Sequence, residues 1–415
     1  MLQNWAGNVT YRGEVARPSS IGEAQSIVAG AGDLRVLGSG HSFTDIADAA
    51  ILLDVSQLPE FLEIDADRRS VRVNGAMTYG RLAELLSPLR LALSNFASLP
   101  HISIAGAVAT GTHGSGDTNQ NLAAAVSQVE LITGTGDLVS LQRGDDDFGG
   151  AVVSLGAVGL VVGVTLDVEP AFLVAQRSYD GLTIEAVADN LETVFASGYS
   201  VSAFTRWRDG DHLLVKSRLD AEGHELEAPP ESAALLAELS PAVTQRHPII
   251  EADGENCTEQ FGVPGAAADR LPHFRLDHRP STAAEIQSEF FVARSDGAAG
   301  IRAIAAIADE LADALLVSEV RSVAGDEQWM SPQVGRDSIA FHFTWGPDAE
   351  LAADASRRVA DALGALSPRP HWAKVFDAAQ FDLDQFDRRR FIDLLERLDS
   401  SGTFRNEWFR RVVDS

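Results

Sequence analysis

One cysteine in 415 residues, Cys257, leaves this chain no partner for an intrachain disulfide and no cysteine cluster for a metal. Basic residues are also scarce. Thirty-three Lys and Arg stand against 60 Asp and Glu, a formal charge of −27. Such a surface does not suit nucleic acid or an anionic membrane, both of which attract basic proteins. No basic, apolar, small-residue leader opens the chain, so a cytoplasmic location is expected. There is no His-Glu-x-x-His zinc helix, no Walker loop and no Gly-x-Ser-x-Gly elbow. No metal is therefore expected. One run, residues 148–166, lacks charge and approaches membrane-spanning length. It holds five glycines, with Ser154 and Thr165, and Asp147 and Asp167 bound it. That composition fits a tightly packed helix followed by a buried strand. Cys257, outside any reactive motif, reads as a quiet thiol.

What is present points to a ligand with phosphates. The apolar run 34–37 reads as a buried strand, and Gly38-Ser39-Gly40-His41-Ser42-Phe43 follows it. Two glycines let the backbone turn sharply and approach a ligand. Successive N–H groups in such a turn can form an anion-binding nest. A second glycine-dense segment runs over 104–116 and includes Thr112-His113-Gly114. Two such loops suggest a pyrophosphate-bearing cofactor. The loop at 38–43 does not open a long periodic helix, so the nicotinamide-type dinucleotide fingerprint is absent. His41 could touch whatever the first loop cradles; the alternative is a loop histidine bonded to nearby backbone. His113 reads as structural, fixing the second loop, and His101 carries no clear signal.

The length suits two or three domains. Residues 1–170 alternate short strands with glycine-rich loops, including strands at 51–55 and 71–73, a helix over 81–86 capped by Thr78, and a hairpin over 126–141. Residues 171–366 change pattern. Helices are expected at 184–196, 298–316 and 351–366, and strands at 200–207, 212–219, 286–292, 318–323 and 338–345. Residues 220–255 read as an acidic surface excursion with one short helix. This is an α+β domain on an antiparallel sheet. Residues 367–415 hold a charged helix near 384–398.

Strand faces give the sharpest clue to chemistry. In Ile339-Ala340-Phe341-His342-Phe343-Thr344-Trp345, large apolar residues alternate with His342 and Thr344. Side chains two apart share a sheet face. Glu319 and Arg321 obey the same spacing on their own strand. Charges on a covered face are costly unless paired or wetted by a cavity. If the two strands are neighbours, Glu, Arg, His and Thr form one polar surface suited to a substrate with several hydroxyls. A solvated outer face with a surface ion pair is the other reading, and the residues alone leave both open. Lys374, between Trp372 and Phe376, is a weaker candidate by itself.

Taken together, these segments resemble the vanillyl-alcohol-oxidase type of FAD enzyme, in its sugar-alcohol and aldonolactone oxidase branch. The matching stretches are Asn4-Trp5-Ala6-Gly7, residues 36–43, Ala97 to Ser103, 106–116, 148–159, 256–262, 271–274, 319–321, 342–345 and His371 to Lys374. The resemblance implies a two-lobed FAD domain, made from 1–170 plus the returning segment 367–415, with the α+β substrate domain inserted between. It implies FAD linked covalently through His41. Val36, Leu37, Gly38, Ser39, Gly40, His41, Ser42, Ser98, Ser103, Gly106, Ala107, Val108, Ala109, Thr110, Gly114 and Val152 would hold the cofactor. Ser98, Glu319, Arg321, His342, Thr344 and Lys374 would surround the substrate, with Lys374, His342, Glu319 and Arg321 closest to the chemistry. The implied reaction oxidises the terminal primary alcohol of a polyol such as xylitol or sorbitol to an aldehyde, with oxygen reduced to hydrogen peroxide. A monomer is expected. The alternatives are an aldonolactone oxidase or dehydrogenase, and a flavin- or sugar-binding protein without turnover.

Overall fold

The computed structural model describes residues 2–277 and 285–414. Glu14–Ala16, Ile51–Asp54 and Leu34–Leu37 form a small parallel sheet with Ile51–Asp54 in the middle. Parallel strands need a crossover connection, and helix Ile21–Gly30 supplies the one between the two outer strands. The Ser20 hydroxyl accepts from Glu23 N, while the Glu23 carboxylate accepts from Ser19 N. A second, antiparallel sheet runs in the order Leu62–Ile64, Ser70–Asn74, Leu160–Asp167, Val126–Ile132, Leu138–Gln142. The uncharged run 148–166 becomes helix Phe148–Val152 followed by strand Leu160–Asp167. Among the described residues no helix is long and apolar enough to cross a membrane.

The third sheet carries the centre of the chain. Its antiparallel strands lie in the order Ser240–Pro241, Leu173–Asp180, His212–Arg218, Ser200–Thr205, Leu315–Val323, Ser338–Trp345, Ile286–Ala293, Arg369–Pro370, with Gly265–Ala266 also on Leu173–Asp180. Its back face holds Phe290, Val292, Val320, Phe341, Phe343 and Trp345, all buried. The Phe343 and Trp345 rings stack 5.0 Å apart. Burial of side chains this size stabilises by about 1.5–3 kcal/mol each. Helices Gly297–Ala305 and Ala349–Leu363 cover that face. The approach is close: a methyl group at Gly300 would stand 2.7 Å from the Phe341 ring.

Some predicted boundaries shift. The helix expected over 184–196 breaks at Asn190 into Ile184–Asp189 and Leu191–Phe195. The helix expected over 298–316 ends earlier, as Gly297–Ala305 and Ala308–Leu311, because Leu315 already pairs with Trp345 at the start of strand Leu315–Val323. The apolar run there satisfies both periodicities, and the sheet ladder prevails. The C-terminal helix begins at Arg388, after a short 3₁₀ turn at Leu383–Gln385. Beyond it the chain returns to the small parallel sheet. Leu34 N donates to Thr403 O at 2.9 Å. Phe404 is buried among Ala24, Val28, Leu34 and Leu53. Asn406 Nδ2 donates to the carbonyls of Ile46 and Asp48 at 3.1 and 2.7 Å.

Candidate active site

Strand Leu34–Leu37 delivers the loop 38–43 to the edge of the first lobe. Gly40 takes φ +71°, a conformation that favours glycine. Trp5 N donates to Gly40 O at 2.7 Å, and Phe43 N donates to Ala373 O at 2.7 Å. The loop is thus held from both sides. The Trp5 indole stacks on the His41 imidazole, 5.3 Å between centroids and 21° between planes. Among the described residues His41 Nδ1 is buried without a hydrogen-bond partner. Burial, with a smaller contribution from nearby His101, lowers the His41 pKa to about 4, so its ring is neutral at physiological pH. Ser103 opens helix Ile104–Ala109 beside this loop. A methyl group at Gly38 or Gly106 would lie 2.6 or 2.7 Å from Ser103 Oγ, and that hydroxyl has no partner of its own. Bare backbone and unpartnered buried polar atoms line a trough here, as a cofactor with a pyrophosphate requires.

The trough continues into the polar face of the third sheet, and the whole forms one cavity of about 430 Å³. Its floor is set by register. Glu289, His342, Glu319 and Phe204 lie directly across from one another on four adjacent strands. Thr344 and Arg321 fill positions two residues away on the same face. Lys374 reaches the floor from the segment after Arg369–Pro370. Its Nζ donates to Glu289 Oε2 at 2.7 Å and to His342 Nδ1 at 2.6 Å. His342 Nδ1 therefore accepts, and the proton of the neutral ring sits on Nε2, 3.3 Å from Thr344 Oγ1. Arg321 Nη2 donates to Glu289 Oε1 at 2.6 Å, and Arg321 Nε, without a hydrogen bond among the described residues, lies 3.5 Å from Glu319 Oε1.

Glu289 is the hub of this floor. Its side chain is fully buried, with His113 Nε2 at 3.3 Å as a further neighbour. Burial would raise its carboxyl pKa, but Lys374, His113 and Arg321 overcome that and hold it well below the usual carboxylate range. Glu319 is held low in the same way, burial being outweighed by Arg321 and His273. Burial and the Lys374 charge lower His342 to about 4. Burial also lowers Lys374 itself, against the pull of Glu289. The ligand atoms of His113, Glu289 and His371 lie within 4.8 Å of one another. Both Glu289 oxygens already receive a cation, so the group is an ion-pair cluster, and a divalent ion there would face Lys374 and Arg321.

The cavity wall gathers Val36, Leu37, Gly38, Ser39, Gly40, His41, Ser42, Ser98, Ser103, Gly106, Ala107, Ala109 and Thr110 from the first lobe. Glu319, Arg321, His342, Thr344 and Lys374 complete it. Three expected cofactor residues are not on it. Val108 and Val152 turn into the apolar core, and Gly114 sits against Asn95 and the Phe96 carbonyl. Sequence reasoning missed Glu289. The signal was a carboxylate running directly into the apolar stretch Phe290-Phe291-Val292-Ala293 of a strand, where only a buried partner can hold it. It also assigned His113 to its own loop alone. The ring does hydrogen-bond Gly114 O through Nδ1 at 2.8 Å, and its other nitrogen reaches Glu289.

Residues 14–142 match the model of an FAD binding domain, and residues 281–412 match that of D-arabinono-1,4-lactone oxidase. An alditol oxidase of Streptomyces sp. is 45% identical across all of this chain and 99% of its own length. The chain belongs to the alditol oxidase family of vanillyl-alcohol-oxidase-type FAD enzymes. It is an FAD-dependent oxidoreductase acting on CH–OH groups with oxygen as acceptor. An L-gulono-1,4-lactone dehydrogenase of Mycobacterium tuberculosis is 29% identical over 99% of this chain and 98% of the relative. The crystal structure of cholesterol oxidase from B. sterolicum shares the fold, with a TM-score of 0.75 over 99% of this chain and 96% of the other, at 14% identity. The trough between His41 and Ser103 fits the FAD that this family requires.

Proposed function

We propose that this enzyme oxidises the terminal primary hydroxyl of a small polyol, converting alcohol and oxygen into an aldehyde and hydrogen peroxide. The observation that supports this most directly is one cavity in which the His41 loop faces Glu319, Arg321, His342, Thr344 and Lys374. A polyol offers a donor and an acceptor at every carbon. Glu319 accepts from its hydroxyls, and the Arg321 guanidinium donates to them. Ser98 and Thr344 hold further hydroxyls from opposite walls. The Lys374–His342 couple receives the reacting hydroxyl: two buried nitrogens 2.6 Å apart share one proton and take up the one released from oxygen. Holding the reacting carbon in place contributes a large part of the rate, since orientation alone is worth roughly 7–11 kcal/mol in favourable cases. Bound FAD supplies the two-electron acceptor chemistry that alcohol oxidation requires. His41 would hold it covalently: a nitrogen of its neutral imidazole, with Nδ1 unpartnered among the described residues, would replace one hydrogen of the flavin 8α-methyl group, and oxygen would take up the two hydrogens lost as hydrogen peroxide.

Steady-state assay with xylitol, sorbitol and an aldonolactone, with peroxide detection, tests the reading. Turnover of the polyols with stoichiometric peroxide supports it. The match of 281–412 to a lactone oxidase model favours the second reading, and turnover of the lactone alone would establish that instead. Lys374→Ala or Glu319→Ala is expected to lower kcat/KM by about a hundredfold or more, as for loss of a charged partner in a buried site, with flavin retained. Unchanged kinetics removes that residue from the site.

A further inference from the structure

Lys216 is buried to 1% exposure, with no carboxylate in hydrogen-bond contact among the described residues. It lies on strand His212–Arg218, two residues from Leu214 and four from His212, on the same sheet face as Phe204 and Glu319. Its Nζ donates to the Leu271 carbonyl and to His273 Nδ1, the latter at 3.2 Å. An ammonium has no acceptor to offer, so His273 Nδ1 must accept, and the ring proton resides on Nε2. That Nε2–H donates to Glu319 Oε1 at 2.9 Å. His273 lines the cavity beside Glu319. The arrangement parallels Lys374 and His342 on the other side of the floor, where an ammonium likewise fixes the tautomer of a buried imidazole.

We propose that Lys216 and His273 are a positioning pair that locks Glu319 as a hydrogen-bond acceptor for a substrate hydroxyl. The inference rests on Glu319 gripping the polyol, as proposed above. The chain of donors runs one way, from Lys216 through His273 to Glu319. It keeps the carboxylate ionised and fixes the oxygen that stays free for substrate. Removing the ammonium frees the imidazole to change tautomer, and a bare Nε2 lone pair then faces Glu319 and repels it. The charged and titratable neighbours of Lys216 are Glu319 and Arg321, two strands away across Ser200–Thr205, with His273 and Cys257. Burial is the largest influence and brings the lysine down to about 7. His273 stays neutral, lowered to about 4 by burial and then by Lys216. The ammonium can only donate and so fixes the tautomer below about pH 7; above it the neutral amine can donate or accept, and the lock loosens.

The test uses the FAD-loaded enzyme and a polyol that the wild type oxidises. In Lys216→Met, KM is expected to rise about tenfold or more at pH 6, the effect of losing one charge-assisted hydrogen bond. Flavin content per polypeptide and kcat should change much less. The wild-type KM should rise between pH 6 and pH 8, and Lys216→Met should flatten that rise. His273→Phe, which keeps the ring without its nitrogens, should reproduce both effects and serves if Lys216→Met does not fold. A KM within twofold of wild type in the variant that folds, or a pH dependence unaltered by it, overturns the proposal. Failure of the wild type to oxidise any polyol would instead overturn the function reading, which keeps the two outcomes distinct.

Discussion

Replacing Glu289 by Gln removes one negative charge from the floor of the cavity while keeping the shape of the side chain. The carboxylate accepts from Lys374 at 2.7 Å and from Arg321 at 2.6 Å, and its side chain has no solvent contact. The amide offers one carbonyl oxygen to two cations and turns an NH₂ toward one of them. Breaking a buried pair from one side costs about 3–5 kcal/mol, a large share of a typical net stability of about 5–15 kcal/mol. The denaturant midpoint at pH 7 should fall accordingly. The sign with pH follows from the depressed carboxyl. Its stabilisation is fully present above the unfolded glutamate pKa, about 4.3, and is lost as pH falls toward the folded value. The gap between wild type and variant should be constant above about pH 5.5 and close toward acid. Activity should respond too. Burial lowers Lys374 and Glu289 opposes it, so without the carboxylate the ammonium should lose its proton at lower pH and the basic limb of the kcat/KM profile should move down. Equal midpoints at pH 7, a gap that widens toward acid, or an unmoved basic limb would refute the hub assigned to Glu289.

Three further outcomes follow from other parts of the molecule. In wild type the yellow colour should stay with the acid-precipitated polypeptide, and His41→Ala should release it to the supernatant; colour retained in the variant excludes His41 as the link. Cys257 is buried and its thiol is pushed up to about 12 by burial, so native protein at pH 8 should resist a thiol reagent that modifies one site after unfolding; rapid native reaction contradicts this. Gly114→Ala would drive a methyl group into Asn95 and the Phe96 carbonyl and should destabilise by about 1–3 kcal/mol; an unchanged Tm shows that the loop has room to relax.

The parts of the site legible in sequence were those encoded within one strand. The alternation of Phe341, Phe343 and Trp345 with His342 and Thr344 assigns each residue to a face without knowledge of any neighbour. Glu319 and Arg321 follow the same rule. The Lys374–Glu289 bond joins positions 85 residues apart, and no local period carries that pairing. Lys374 alone looked like any solvated lysine for the same reason. Glycine loops marked the cofactor trough because their backbone needs are local, whereas the burial of Val108 and Val152 depends on how the first lobe packs. The helix Ile21–Gly30 did have a local signal, Ser20 and Glu23 at capping-box spacing, that the sequence reading did not use. The break at Asn190 had none strong enough to divide an apolar run.

On the central strands the substrate-facing residues occupy one parity and the largest aromatic core side chains the other. Positions 204, 287, 317 and 344 touch the cavity, while their immediate neighbours in sequence hold the core. A combinatorial library confined to the first set would explore new selectivities on an intact scaffold, and one confined to the second would mostly yield misfolded protein. A single period-two pattern thus makes this sheet an evolvable surface as well as a support.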